Sequence, residues 1–119
     1  MKFLMTYQGA TTAPPSPETL AALGKYTQEM VARGVVLMTG GLVRPDHGTK
    51  LKQVDGKVSI TDGPFPETKE LIDGFALVRC ESREAALAMA KEFMSIAGDG
   101  DAEVLQVFDA ADMPAPPGR

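Results

Sequence analysis

The sequence predicts an α+β fold of six strands and two helices. Three observations carry that reading. Residues 2–8 and the stretch ending at Cys80 alternate with a period of two, as half-buried strands do. Two other segments repeat apolar residues at helical spacing, and each opens on a serine. Between them, Asp55-Gly56 joins two short alternating runs and suits a two-residue type I′ turn.

Taken in order, residues 2–8 form the first strand, with Phe3, Met5 and Tyr7 on one face and Leu4, Thr6 and Gln8 on the other. Residues 9–15 are rich in Thr, Ala and Pro and make a loop. Ser16-Pro17-Glu18 starts a helix: Ser16 caps it, Pro17 fits the first helical position, and Glu18 sits at the favourable end of the dipole. Leu20, Leu23, Thr27, Met30 and Val31 form its expected buried stripe, and Gly34 ends it. Residues 35–38 are apolar and β-branched, which predicts a buried strand ended or bulged by Gly40-Gly41. Residues 49–54 and 57–61 flank Asp55-Gly56 as a hairpin, and residues 71–79 give a further strand. Ser82 caps the second helix, whose stripe is Ala86, Met89, Ala90, Phe93 and Ile96 or Ala97 before Gly98. Residues 102–108 are the final strand. The chain reads as one domain over residues 1–109 and a Pro-rich tail over 110–119.

The order β-α-β, hairpin, β-α-β on an antiparallel sheet is a ferredoxin-like α+β sandwich. Each helix carries one apolar stripe, so both cover the same sheet face. Either Phe3, Met5 and Tyr7, or Phe75 and Leu77, would then face water in a monomer. Sheet-to-sheet homodimerisation removes that exposure.

Composition narrows the chemistry. The chain has 119 residues with one Cys, one His and no Trp, which excludes an internal disulfide and a thiolate or His-rich zinc site. No metal or cofactor is expected. Sixteen acids against twelve bases give a net charge of −4. The basic cluster Arg44, Lys50, Lys52 and Lys57, offset by Asp46 and Asp55, carries only +2, so nucleic acid is not an expected partner. The N-terminus turns polar too early for a signal peptide, and no apolar run approaches the roughly 20 residues that span a bilayer. A cytoplasmic protein without a membrane partner is the expectation.

Asp62-Gly63-Pro64-Phe65, running into Pro66-Glu67-Thr68-Lys69-Glu70, is the most distinctive local sequence. Its prolines stiffen the segment, and a stiff loop suits a pocket wall because it loses little entropy when a ligand binds. The plainer reading is a rigid turn with Phe65 plugging the core.

The run 61–65, followed by Glu67-Thr68-Lys69-Glu70 and Gly74-Phe75, resembles the signature of the YCII-related DGPF family. Gly40-Gly41-Leu42 and the small-residue helix after Ser82 fit as well, and Pro66 departs from the pattern, standing where a small residue is expected. The resemblance covers about residues 2–108. It implies a ferredoxin-like domain that dimerises through its sheets as a dimeric α+β barrel, with a pocket for an unknown small molecule near the motif. Members of that family are similar to small enzymes of the muconolactone isomerase kind, some with a His–Asp pair, and the resemblance also implies a regulatory context linked to extracytoplasmic-function sigma factors.

His47 is the one histidine available for such a pair, and Asp62, at the other end of the same hairpin, is the expected partner. Tyr7 is a candidate hydrogen-bond donor, and Gly63, Pro64, Phe65, Glu67 and Lys69 are candidate pocket residues. The reaction would be cofactor-free acid/base chemistry of the lyase or isomerase type. The alternative is a non-catalytic ligand-binding or regulatory partner. Arg79 is a candidate for an ion pair at a dimer interface or pocket; Cys80, which alternates with apolar residues, reads as a small core residue.

Overall fold

The structure, a computed structural model, describes residues 1–11, 13–43, 45–66 and 72–112. Its elements are β1 (Lys2–Gly9), α1 (Pro17–Ala32), β2 (Val36–Gly41), β3 (Thr49–Val54), β4 (Lys57–Asp62), β5 (Gly74–Arg79), α2 (Arg83–Ala97) and β6 (Gly100–Val107). Four strands make one antiparallel sheet in the order β2-β5-β1-β6, while β3 and β4 pair only with each other. That strand order, with both helices on one face, is the ferredoxin-like arrangement the sequence predicts.

The core is a seam across the middle strands. Phe3 pairs with Val78, and Val78 with Val36, so three buried side chains stand in a row on one face. Tyr26 and Met30 of α1 and Ala86 of α2 close over them. Fully burying each large apolar side chain is worth about 1.5–3 kcal/mol, so this row and its lid anchor the helix layer. Tyr26 also ties the helices together: its hydroxyl donates to the Met89 carbonyl at 3.3 Å.

Local chemistry sets the helix ends. Ser16 Oγ accepts from Thr19 N–H at 3.1 Å, and Ser82 Oγ accepts from Ala85 N–H at 3.1 Å. At the end of α1, Gly34 N–H donates to Val31 O and Val35 N–H to Met30 O, with Gly34 at φ +75°, which makes a Schellman cap.

Several expectations change. The inward stripe of α1 is Tyr26 and Met30, both buried, with Leu23 and Thr27 half-buried; Leu20 and Val31, expected inside, are exposed. Val31 follows Met30 by one residue and so points about 100° away from the stripe. The strand expected to be buried is the sheet's edge strand β2: it carries a bulge between Val36 and Met38, and only Val36 is buried. Strand β5 begins at Gly74 rather than at residue 71, which lies outside the described residues.

The choice of exposed face is settled. Phe3, Met5 and Tyr7 lie under the helices. Leu4, Phe75 and Leu77 line the other face with Met38 and Leu105, which pair in register with Leu77 and Leu4. Arg79 is exposed at one end of this open face, opposite Lys2. No helix among the described residues is long and apolar enough to cross a membrane.

Replacing Ser82 with Ala removes the α2 cap and should cost about 1 kcal/mol, lowering the melting temperature by several degrees in thermal circular dichroism. Ser95→Ala should cost less, because Ser95 Oγ only bonds back to Glu92 O within the helix.

Candidate functional site

Polar groups gather at two places, the base of the β3–β4 hairpin and a cavity beneath the helices. At the hairpin base a single 3-10 turn, Pro45–His47, leads into β3, and the chain after β4 folds back onto it. Gly63 N–H donates to Gly48 O at 2.9 Å, and Phe65 N–H donates to Asp46 O at 2.6 Å. Thr49 Oγ1 donates to Asp62 Oδ1 at 2.7 Å, closing the last pair of the ladder. The Lys50 ammonium stands 4.3 Å from the centre of the Phe65 ring. Gly63 is required on steric grounds. A Cβ there would collide with the Asp46 carbonyl oxygen and lie 2.8 Å from His47 Cα. Asp62, Gly63 and Phe65 of the distinctive motif therefore brace this corner, and Phe65 belongs to the brace rather than to the core cluster.

The expected pairing of His47 with Asp62 is not the one formed. The carboxylate beside the imidazole is Asp46, with Oδ1 3.1 Å from Nδ1, while Asp62 takes the Thr49 hydroxyl. The reason is local: the tight turn places adjacent side chains together, and the ladder hands Asp62 to Thr49 as its direct neighbour.

The cavity, about 880 Å³, lies between the sheet and the helices at the end of β1. Its apolar wall includes Met5, Leu23, Tyr26, Met89 and Phe93, and the ring of Tyr7 packs edge-on against Phe93 with centroids 5.4 Å apart. Polar groups come from Thr19, Thr27, Thr39, Asp73 and Asp99. Among the described residues the lining holds two carboxylates and no Lys, Arg or His. Of the candidates read from sequence, Tyr7 lines this cavity; Asp62, His47, Gly63, Pro64 and Phe65 do not, and Glu67 and Lys69 lie outside the described residues.

Asp73 is the residue that sequence reasoning missed. Its N–H donates to Tyr7 O at 2.7 Å, its carbonyl accepts from Leu42 N–H at 2.8 Å, and its carboxylate accepts from Gly9 N–H at 2.7 Å. It thus ties the ends of β1 and β2 together at the cavity mouth. The available signal was a lone acid directly before the glycine that opens β5.

The Tyr7 hydroxyl donates to the carbonyls of Gly98 and Asp99, each at 3.0 Å. Burial pushes this phenol above its ordinary pKa of 10.0, and the Asp73 and Asp99 carboxylates push it the same way. Burial likewise raises the Cys80 thiol, which agrees with a core role rather than a nucleophilic one.

Two outcomes are expected. Because the folded phenol holds its proton more tightly, its contribution to stability is complete below pH 10.0 and is lost as pH rises through the shifted value. Spectrophotometric titration should show Tyr7 ionising later than free tyrosine, and Tyr7→Phe should remove that component. Gly63→Ala should lower the melting temperature, with amide exchange rising first at Gly48 and Thr49, since backbone must move to admit the methyl group.

The YCII-related domain model matches residues 1–111. An uncharacterized protein of Rhizobium meliloti (strain 1021) is 27% identical over 96 residues, covering 78% of this chain and 77% of that protein. With the strand order and the braced motif in view, a match over nearly the whole chain places this protein in the YCII-related domain family.

Proposed function

We propose that the chain is a homodimeric binding domain for a small, largely apolar molecule bearing a neutral or positively charged polar group. The cavity carries this reading. At about 880 Å³ it falls within the 300–1,000 Å³ typical of small-molecule sites. Its apolar wall favours a ring or branched chain, and Asp73 and Asp99 at the polar end favour a hydrogen-bond donor or cation. An anionic ligand would meet two carboxylates with no basic residue among the described lining to offset them.

Acid/base turnover of the lyase or isomerase type is the second reading. The observation favouring it is the imidazole of His47 held 3.1 Å from Asp46. Against it, neither His47 nor Asp62 lines the cavity, and the Tyr7 hydroxyl already donates to two carbonyls. The binding reading therefore takes precedence. Sheet-to-sheet pairing as a dimeric α+β barrel is supported by the apolar open face, where Met38 is 60% and Leu105 48% exposed.

The test uses 1-naphthylmethylamine, naphthalene and 1-naphthoate as probes of one ring system with three charges. The amine should raise the melting temperature most, naphthalene less, and the carboxylate not at all. Asp73→Asn should erase the preference for the amine, and Ala90→Phe, which fills the cavity, should abolish binding of all three. A carboxylate that binds best, or binding unchanged in Ala90→Phe, would contradict the reading.

A further inference from the structure

We infer that the β3–β4 hairpin is an arm that packs on the open sheet face of a second copy of this chain, and that the second copy receives the first one's sheet face in return. The inference rests on the homodimer reading and adds which element makes the contact. All twelve residues of the two strands are exposed, and neither strand pairs with the main sheet. The radius of gyration is 17.0 Å and the longest extent 50 Å. A compact chain of 119 residues would have a radius of about 13.5 Å.

An isolated two-stranded hairpin is marginal in water, so a free-standing one needs cover. This one has the pattern for it. Register puts Leu51 opposite Ile60 and Gln53 opposite Val58 on one face. Leu51 and Ile60 are each 65% exposed and Val58 is 55% exposed. The other face carries Lys50, Lys52 and Lys57, with Thr61, Ser59 and one exposed apolar residue, Val54, at the turn end. One face is suited to water and one to an apolar surface, as in a sheet packed on one side.

The arm is also aimed. The backbone bonds of Gly63 and Phe65, the Thr49–Asp62 bond and the Lys50–Phe65 contact fix its base, so docking orders little that is not already ordered.

A second copy fits by chemistry and by charge. The open face offers Leu4, Phe75, Leu77 and Leu105, an apolar surface of the same two-residue period. Asp101 and Glu103 sit at its β6 edge, in register with Gln8 and Thr6. Residues 49–62 carry a net +1, which leaves −5 on the rest of the chain. With its apolar face down, the arm turns Lys50, Lys52 and Lys57 to water, and the opposite net charges of the arm and of the rest of the chain favour the approach of two copies. Area argues the same way. A six-residue hairpin is roughly 20 Å by 10 Å, so two arms on two faces bury roughly 800 Å². A stable interface needs about 1,200–2,000 Å², which requires the sheet faces to contribute beside the arms. Each copy then gives one arm and one face, which is the self-complementary form of a two-fold dimer.

Sedimentation equilibrium and photo-cross-linking test this together. The wild type should run near twice 12.6 kDa. Leu51→Lys with Ile60→Lys should raise the dimer dissociation constant roughly 30-fold or more while the circular dichroism of the helices is kept. A photo-cross-linker at Val58, in mixed heavy- and light-isotope protein, should attach between chains to peptides of β1, β5 or β6. An unchanged dissociation constant with no inter-chain cross-link overturns the arm and leaves the homodimer standing. A wild-type mass near 12.6 kDa overturns both.

Discussion

Two helices can cover only one side of a four-stranded sheet, and most of this structure follows from that limit. The Phe3–Val78–Val36 row, capped by Tyr26, Met30 and Ala86, consumes the apolar face of both helices. Among the described residues no helix lies over Leu4, Phe75 and Leu77 on the other side. The same shortage leaves the hairpin unsupported, because it extends beyond the helix layer. Apolar area on both elements therefore has to be satisfied from outside the chain or left wet.

The brace and the cavity divide the work differently from what the motif suggested. Asp62, Gly63 and Phe65 hold the hairpin base, each by a distinct means: a side-chain hydrogen bond, a steric vacancy and a ring under an ammonium group. The described part of this distinctive loop thus encodes the geometry of the hairpin base. The cavity is built instead from ordinary residues of β1, α1 and α2, with Asp73 knitting two strand ends at its mouth. Its electronegative polar end also acts on Tyr7, whose proton is held by burial and by the two carboxylates together.

Much of the fold was legible in the sequence because its signals are local. Both serine caps, the Gly34 stop and the Asp55-Gly56 turn, with φ of +51° and +79°, act within a few residues and appear as read. Edge position is not local, which is why residues 36–38 read as buried although β2 borders the sheet. Tyr26 was missed for a related reason: its role depends on a carbonyl of α2, 63 residues away. The site was less legible still. The hairpin ends do meet, with Gly63 against Asp46 and His47. The pairing expected of His47 and Asp62 rested on side chains, and the turn sets Asp46 beside His47 while the ladder sets Thr49 beside Asp62.

The claim on which the rest turns is that the apolar surface left by one-sided helix cover is buried by a second copy. Amide hydrogen exchange across a dilution series measures it directly. The amides of β3 and β4 whose hydrogen bonds lie within the hairpin should be strongly protected at high protein concentration. On dilution they should lose that protection together with those of the β6 edge, at one common midpoint, while Phe3 and Val78 stay protected. Fast exchange in the hairpin at every concentration, or protection that does not depend on concentration, would contradict it.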